Sequence, residues 1–485
     1  MVVHNVEPTP KPPPARVSGV KTVLRYTGIP PSWLDKRPKL PSRNWLIFLT
    51  ASATILGYGV YDRRECKRIQ DEYIEKVQSL SEDPLNPLDV SRKVTVYGAK
   101  WPGDEDHQQA LKYFRKYVKP ILVAAAVDFD MYSGKKLGDI ATRIAEDVRL
   151  RRRLDAGIDE DPIQKKVLPT YMDPEERRKR ELEGGIVLIG RPTFKEFMAG
   201  LKKGWSSGLQ KVDGEEILAQ ELEDDHYFDE VDDDMLAPAS KLSYSPIFTM
   251  SSQALQQKRA TPEDTTPDVA PPQSIPQLPP LLLVPFSNRI GFTQIPIMIW
   301  EWFNKRRLVQ SGAEAAYSLV LANSRPISVP SGVPSTSEPS EQLLSDSTSS
   351  AEHPTEASPP SDLGDLDFDL DKERLFKKSL YKIPEEVEQA RKEYYEKLPA
   401  RLATARALAR GTREWTKDEV ENPPPTEVEL RAERMKREQE WRFNVASWNR
   451  VKGDTPVEWD ERFRDALRVF SKPPSDASPA PSSEQ

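Results

Sequence analysis

The sequence predicts a single-pass membrane protein with an exported α/β domain, a C-terminal helical region and long disordered insertions. Three observations predict this. One uncharged apolar run stands near the N-terminus, strand-like and helix-like periods alternate after it, and the 45 prolines gather mostly in a few clusters. Those clusters bury too little apolar surface to offset the entropy of ordering them, so they are expected to be disordered.

The apolar run is Trp45 to Tyr61, WLIFLTASATILGYGVY. As a helix it spans about 25 Å, a little less than the ~30 Å hydrocarbon core of a bilayer. Local thinning, or snorkelling of Arg43 and Arg63, absorbs the difference. Trp45, Tyr58 and Tyr61 stand near its ends, where amphipathic rings favour the membrane interface. Ala51-Ser52-Ala53 resembles a signal-peptidase site, but cutting there leaves an apolar segment too short for a signal peptide. Ala53 and Gly57 lie four apart on one face, the spacing that lets two membrane helices approach closely.

Charge sets the direction of the span. Residues 1–43 carry eight Lys/Arg, among them Lys36, Arg37, Lys39 and Arg43, against only Glu7 and Asp35. Residues 62–80 carry five basic and five acidic side chains. The bias keeps the N-terminus on the positive-inside face and exports everything after Tyr61. Nine prolines in residues 1–43 forbid a long amphipathic helix there, so these residues read as a retained, flexible arm, with a cleavable presequence as the alternative.

Residues 62–83 read as a charged helical stalk with Ile69, Tyr73, Ile74 and Val77 on one side, ended by Pro84 and Pro87. Residues 93–212 alternate between strand and helix. Lys93–Ala99 has a strand period, His107–Lys119 and Leu137–Arg152 helical ones, and Ile186–Ile189 is a buried strand before another helix. That order argues a parallel sheet. Residues 213–280 read as an acidic and Pro-rich disordered insertion, because Asp213–Asp234 holds twelve carboxylates and no Lys or Arg and self-repulsion keeps it solvated. Within 281–323, taken as the rest of the domain, Leu281–Ile299 is too interrupted for a second span. It reads either as a core strand and loop or as an element resting on the membrane through Phe292, Trp300, Trp302 and Phe303. Residues 324–362 form a Ser/Pro-rich linker and 472–485 a disordered tail. Between them, 363–471 is a charged helical region. Glu385–Arg410 carries an apolar stripe that Pro399 should kink, and Thr426–Trp448 carries the four-residue pairs Glu427–Arg431, Glu433–Arg437 and Glu438–Arg442.

The net charge of −7 argues against nucleic acid. Cys66 is the only cysteine, which forbids an intrachain disulfide and a thiolate metal cluster. His4, His107, His226 and His353 are too scattered for a metal site. No phosphate-binding glycine loop, HExxH, GxSxG or CxxC pattern occurs. No catalytic residue, cofactor or small-molecule substrate is therefore expected. One turn, the Glu183–Leu201 strand-turn-helix, resembles the nucleotide-binding turn of diacylglycerol-kinase-type lipid kinases. Where that family has Gly-Gly-Asp-Gly-Thr, this chain has Gly190-Arg191-Pro192-Thr193, and Pro192 removes an amide donor. The resemblance implies a degenerate kinase-like fold with its ATP site dismantled.

Several stretches together resemble the fungal large, fifty-four-kilodalton Tim subunit family of the mitochondrial carrier translocase. They are Leu40-Pro-Ser-Arg-Asn-Trp-Leu, Tyr117-Val-Lys-Pro-Ile-Leu-Val-Ala-Ala-Ala-Val-Asp, Gly190-Arg-Pro-Thr-Phe-Lys-Glu-Phe with Gly200-Leu-Lys-Lys-Gly-Trp, Pro285-Phe-Ser-Asn-Arg-Ile-Gly-Phe and Pro423-Pro-Pro-Thr-Glu-Val-Glu-Leu-Arg. The resemblance implies a matrix-facing arm, one inner-membrane span and a domain in the intermembrane space. It implies a scaffold for inserting multispanning carriers, with a channel-forming translocase subunit, small intermembrane-space chaperones and inner-membrane lipid as partners. The competing expectations are a membrane-anchored lipid-kinase-like enzyme and an inner-membrane tether without an import role.

Overall fold

The computed structural model describes residues 42–82, 91–159, 174–210, 214–229, 271–329, 364–414 and 416–471. The chain divides into two units, Met1–Tyr61 and Asp62–Gln485.

In the first unit the described residues from Arg43 onward belong to helix α1, Arg43–Ser81, which continues into the second unit. Trp45, Leu46, Ile47, Phe48, Ile55, Leu56, Tyr58 and Tyr61 are all exposed. The expectation of a transmembrane helix at 45–61 meets a physical difficulty here: among the described residues no helix is long and apolar enough to cross a membrane. Thr50, Ser52, Thr54, Gly57 and Gly59 dilute the run, and Arg43 and Asp62 bound it.

The second unit is built on a six-stranded sheet in the order β2-β1-β3-β4-β6-β5. Its strands are β1 (Lys93–Gly98), β2 (Asp128–Ser133), β3 (Ile186–Ile189), β4 (Leu281–Val284), β5 (Ser324–Pro326) and β6 (Arg468–Phe470). All neighbours run parallel except β5 and β6. Alternation along the strands makes two cores, since successive side chains point to opposite faces. Val94, Val96, Val187, Ile189, Leu282 and Val284 face one core. It is closed by α2 (Gln109–Tyr117), α3 (Lys119–Ala124), α9 (Arg306–Val320) and the part of α1 beyond Tyr61. Tyr97, Leu188, Leu281 and Val469 face the other, closed by α4 (Asp139–Asp155) and α6 (Gly190–Ser206). The result is a three-layer α/β/α sandwich. Helices α4 and α6 meet through glycine: a Cβ on Gly200 would stand 2.7 Å from the Ala141 carbonyl oxygen. α5 (Pro174–Gly184) precedes β3, α7 (Gly214–Glu223) follows α6, and α8 (Ile295–Phe303) precedes α9. The C-terminal region adds α10 (Ile383–Ala409), α11 (Lys417–Glu421) and α12 (Glu427–Val451).

Arg92, just before β1, ties helix ends to the sheet. Its guanidinium donates to the carbonyls of Glu183 (2.7 Å), Gly184 (3.0 Å), Leu319 (2.9 Å) and Val320 (3.2 Å), the last turns of α5 and α9. Charged hydrogen bonds of this kind satisfy orphan carbonyls and oppose the helix dipoles. Arg92→Ala is expected to lower unfolding free energy by about 2–3 kcal/mol, read as a lower thermal midpoint. An unchanged midpoint would contradict that role.

Several sequence expectations need correction. The apolar side of the stalk is part of the first core: Val77 is fully buried, and Ile69, Tyr73 and Ile74 pack on it. The acidic insertion is ordered where it is described. Residues 214–223 form α7, Leu218 and Phe228 are buried, and Ile275 and Leu278 belong to the second core. Its remaining residues lie outside those described. The first residues of the linker form β5, and the C-terminal region is not wholly helical, because β6 inserts between β4 and β5. No local signal announced these two strands: each is three residues long and is held by pairing, not by propensity. Helix α10 runs through Pro399 as one element.

Candidate functional site

In an open parallel sheet, ligands bind outside the carboxyl ends of the strands where the strand order reverses. Here the reversal lies at β1, which has β2 on one side and β3 on the other. The two turns that meet there are Gly98-Ala99-Lys100 and Gly190-Arg191-Pro192-Thr193. Gly190 is left-handed (φ 78°), and a Cβ there would stand 3.3 Å from Phe286. The crevice is closed by the chain itself. The Ala99 amide donates to Thr193 Oγ1 (2.9 Å), whose hydroxyl donates to the Ile189 carbonyl (2.6 Å). Trp101 packs edge-on against Phe286 and Phe376.

The deepest part is charged. Arg191 and Lys195, in the first turns of α6, both contact Glu373 Oε1 at 2.6 Å, and all three side chains are at most 5% exposed. Arg191 also donates to the Leu366 (2.6 Å) and Phe368 (2.9 Å) carbonyls, and Lys195 to that of Lys452 (2.8 Å). Burial pulls the Lys195 ammonium below its usual range, and Arg191, sharing the same carboxylate, adds to this; Glu373 opposes it. Glu373 belongs to the segment 364–382, a run of short 3₁₀ turns with Asp369 in a left-handed conformation (φ 55°). Asp369 accepts the Phe286 amide (3.0 Å), so this segment is fastened to the turn after β4 as well. A carboxylate of the chain therefore sits against the two cations at the start of α6, the end of a helix that favours an anion. A cavity of about 250 Å³ lies elsewhere, lined by Leu182, Glu183, Pro280 and Arg468 near the amino ends of β3 and β4.

Beside this triad Glu196 is fully buried and accepts the amides of Gly138 (2.8 Å) and Ile140 (3.1 Å) at the start of α4. Burial pushes its carboxyl up to about 7, against those two amides. A carboxyl raised in the folded state holds its proton more tightly there than in the unfolded chain. Its contribution is therefore complete below the unfolded value of 4.5 and is lost as pH rises through about 7. Relative to Glu196→Gln, the wild-type chain should lose roughly 3 kcal/mol between those limits and nothing further above them. A difference between the two proteins that does not change with pH would contradict this.

A second feature is the opposite in character. Helix α8, IPIMIWEWF, buries no residue. Phe292, just before it, is 92% exposed, and Trp300 and Trp302 are 49% and 51% exposed. Its one charge, Glu301, pairs with Arg289 at 2.7 Å. Within Leu281–Ile299, Leu281–Val284 is core strand, as the first reading has it; residues 285–290 are half-buried and Ile295–Ile299 are exposed.

A third is the C-terminal hairpin. The three expected four-residue pairs are present, at 3.1 Å (Glu427–Arg431), 2.8 Å (Glu433–Arg437) and 3.6 Å (Glu438–Arg442). Thr426 and Glu429 cap α12 reciprocally. Arg434 is buried and holds both carboxylate oxygens of Asp225, the Leu222 carbonyl (3.1 Å) and the Tyr395 hydroxyl (3.0 Å). Arg442 binds Glu221 at 2.6 Å. Asp225 and Glu221 of the acidic run are thus paired with arginines more than two hundred positions away in sequence.

Of the residues singled out by sequence, Lys36, Arg37 and Lys39 lie outside those described. Arg43 opens α1. Trp45, Tyr58, Tyr61, Ala53 and Gly57 are on its exposed surface, and nothing lies within 4 Å of a Cβ placed on Gly57. Sequence reasoning missed Glu373, Glu196 and Arg434. A charged residue flanked by others reads as solvated, and only the fold buries these.

Comparison with known proteins decides the family. The model described as "Inner membrane protein import complex subunit Tim54" matches residues 21–470. The chain belongs to the Tim54 family. A mitochondrial import inner membrane translocase subunit TIM54 of Cryptococcus neoformans is 33% identical to it over 96% of both chains. The Candida albicans protein of that name is 30% identical over 62% of this chain and 84% of its own length. That of Aspergillus oryzae is 32% identical over 60% and 68%.

Proposed function

We propose that this Tim54-family chain is a non-catalytic scaffold of the mitochondrial inner-membrane import complex, supporting insertion of multispanning carriers. The observation that carries this reading is the family match along nearly the whole chain, residues 21–470. The closed crevice supports the non-catalytic part, since the place where this architecture takes a ligand is occupied by Glu373, Arg191 and Lys195. On this reading the resemblance to lipid kinases is one of ancestry in the sheet, with the phosphate site replaced by an internal ion triad.

Residues 45–61 serve as the membrane anchor. Although the run is short, it is uncharged, and as a helix it covers about 25 Å, which thinning and the flanking Arg43 and Arg63 extend to the interface. The basic arm 1–43 then stays in the matrix and the domain from Asp62 onward faces the intermembrane space. There it meets the channel-forming subunit and the small chaperones. Ala53 and Gly57 offer a face for a partner helix.

Depletion of the chain tests the proposal. Insertion of newly imported carriers into isolated inner membranes should fall several-fold, and a chain carrying Glu373→Gln, which keeps the crevice filled, should restore it wherever it folds. Carrier insertion that proceeds normally after depletion would favour the tether instead. Lipid phosphorylation by the purified chain would favour the enzyme.

A further inference from the structure

Helix α8 exposes more apolar surface than a soluble face ordinarily carries, and the groups around it say what covers it. Phe292, Ile297, Met298, Ile299, Trp300 and Trp302 are 42–92% exposed. Contiguous apolar surface of this kind marks a contact site. Arg307 lies over the Trp300 ring at 4.8 Å, and Lys305 and Arg63 over the Trp302 ring at 5.5 and 5.9 Å. Glu301 is neutralised by Arg289. The patch is therefore apolar at its centre and cationic at its border, with no free carboxylate in the helix. Cations stacked on tryptophan rings sit at the depth of lipid headgroups when those rings enter the interface.

Its position is fixed from below. Asp62, the first residue after the apolar run, is buried, and its carboxylate accepts the amides of Lys305 (3.0 Å) and Arg306 (3.4 Å), where α8 ends and α9 begins. Asp62, which opens the second unit, thus holds the junction between α8 and α9.

We infer that α8, with Phe292, is a membrane-docking helix that lies in the interface of an anionic bilayer, its apolar side chains in the acyl region and Lys305 and Arg307 at the headgroups. Two or three cations near an anionic surface add attraction to the apolar burial, and neither is enough alone. The inference extends the membrane anchoring proposed above, and it can fail without it.

The test uses the full chain, with Cys66→Ser, reconstituted in vesicles of phosphatidylcholine or of phosphatidylcholine and phosphatidylglycerol. A polarity-sensitive label is placed by Ile299→Cys, by Ile55→Cys in the apolar run, or by Val428→Cys on the exposed face of α12. In the anionic vesicles the label at 299 should be quenched several-fold more by lipid-borne quenchers than the label at 428. Lys305→Gln with Arg307→Gln should bring it back to the level in phosphatidylcholine alone. A label at 299 quenched by lipid no more than that at 428 overturns the inference, whether water or protein then covers α8. If the label at 55 is then quenched, the anchor stands and only the docking falls. If 299 is quenched and 55 is not, the docking stands and the anchor falls.

Discussion

Glu373→Ala is expected to lower the unfolding free energy of the sheet domain by about 3–5 kcal/mol, because it leaves two buried cations without their counter-charge. Arg191 and Lys195 are 2% and 1% exposed and converge on a single carboxylate oxygen. Their remaining partners are backbone carbonyls, which cannot balance two positive charges in a low-dielectric site. The loss should appear as a much lower unfolding midpoint and as release of the 364–382 segment from the crevice. Removing all three charges together tests the cause. Glu373→Leu combined with Arg191→Met and Lys195→Met should cost less than Glu373→Ala alone, since a buried ion triad is often replaceable by apolar groups of similar volume. A triple variant weaker than the single one would mean that the triad is stabilising in itself.

Arg434→Ala is expected to cost a similar amount, about 3–5 kcal/mol, but at a different place. The arginine holds Asp225, the Leu222 carbonyl and the Tyr395 hydroxyl from inside the contact between α12, α10 and the segment after α7. Without it, the carboxylates of 214–229 have lost their most buried partner and repel one another. Amide hydrogen exchange should then show protection lost in 214–229 while β1 and β3 keep theirs. Unchanged protection in 214–229 would assign its order to Leu218 and Phe228 instead.

How far these features could be read beforehand depends on how local they are. The parallel sheet was legible because Val94, Val96 and Ile186–Ile189 carry the period-two and buried-run patterns of strands. The pairs along α12 were legible because residues four apart on a helix face each other whatever surrounds them. The acidic run misled for the same reason inverted: its partners Arg434 and Arg442 are distant in sequence, and within a short window only repulsion is visible. β5 and β6 were missed because three-residue strands exist only when a partner is already in place. Glu373 lay in a stretch that read as ordinary charged helix. Its meaning comes from the switch-point crevice, which is a property of strand order and not of any one segment. The stretch around the aromatic helix was legible in part: Leu281–Val284 is the core strand that its apolar run suggested.

On the function proposed above, this chain is a component that works by what it binds. The measurement that tests this most directly is affinity purification of the tagged full-length chain from mild-detergent mitochondrial membranes, with its co-purifying proteins identified. The account predicts recovery of a channel-forming import subunit and small intermembrane-space chaperones in defined proportion. Recovery of the intact chain with neither would contradict it.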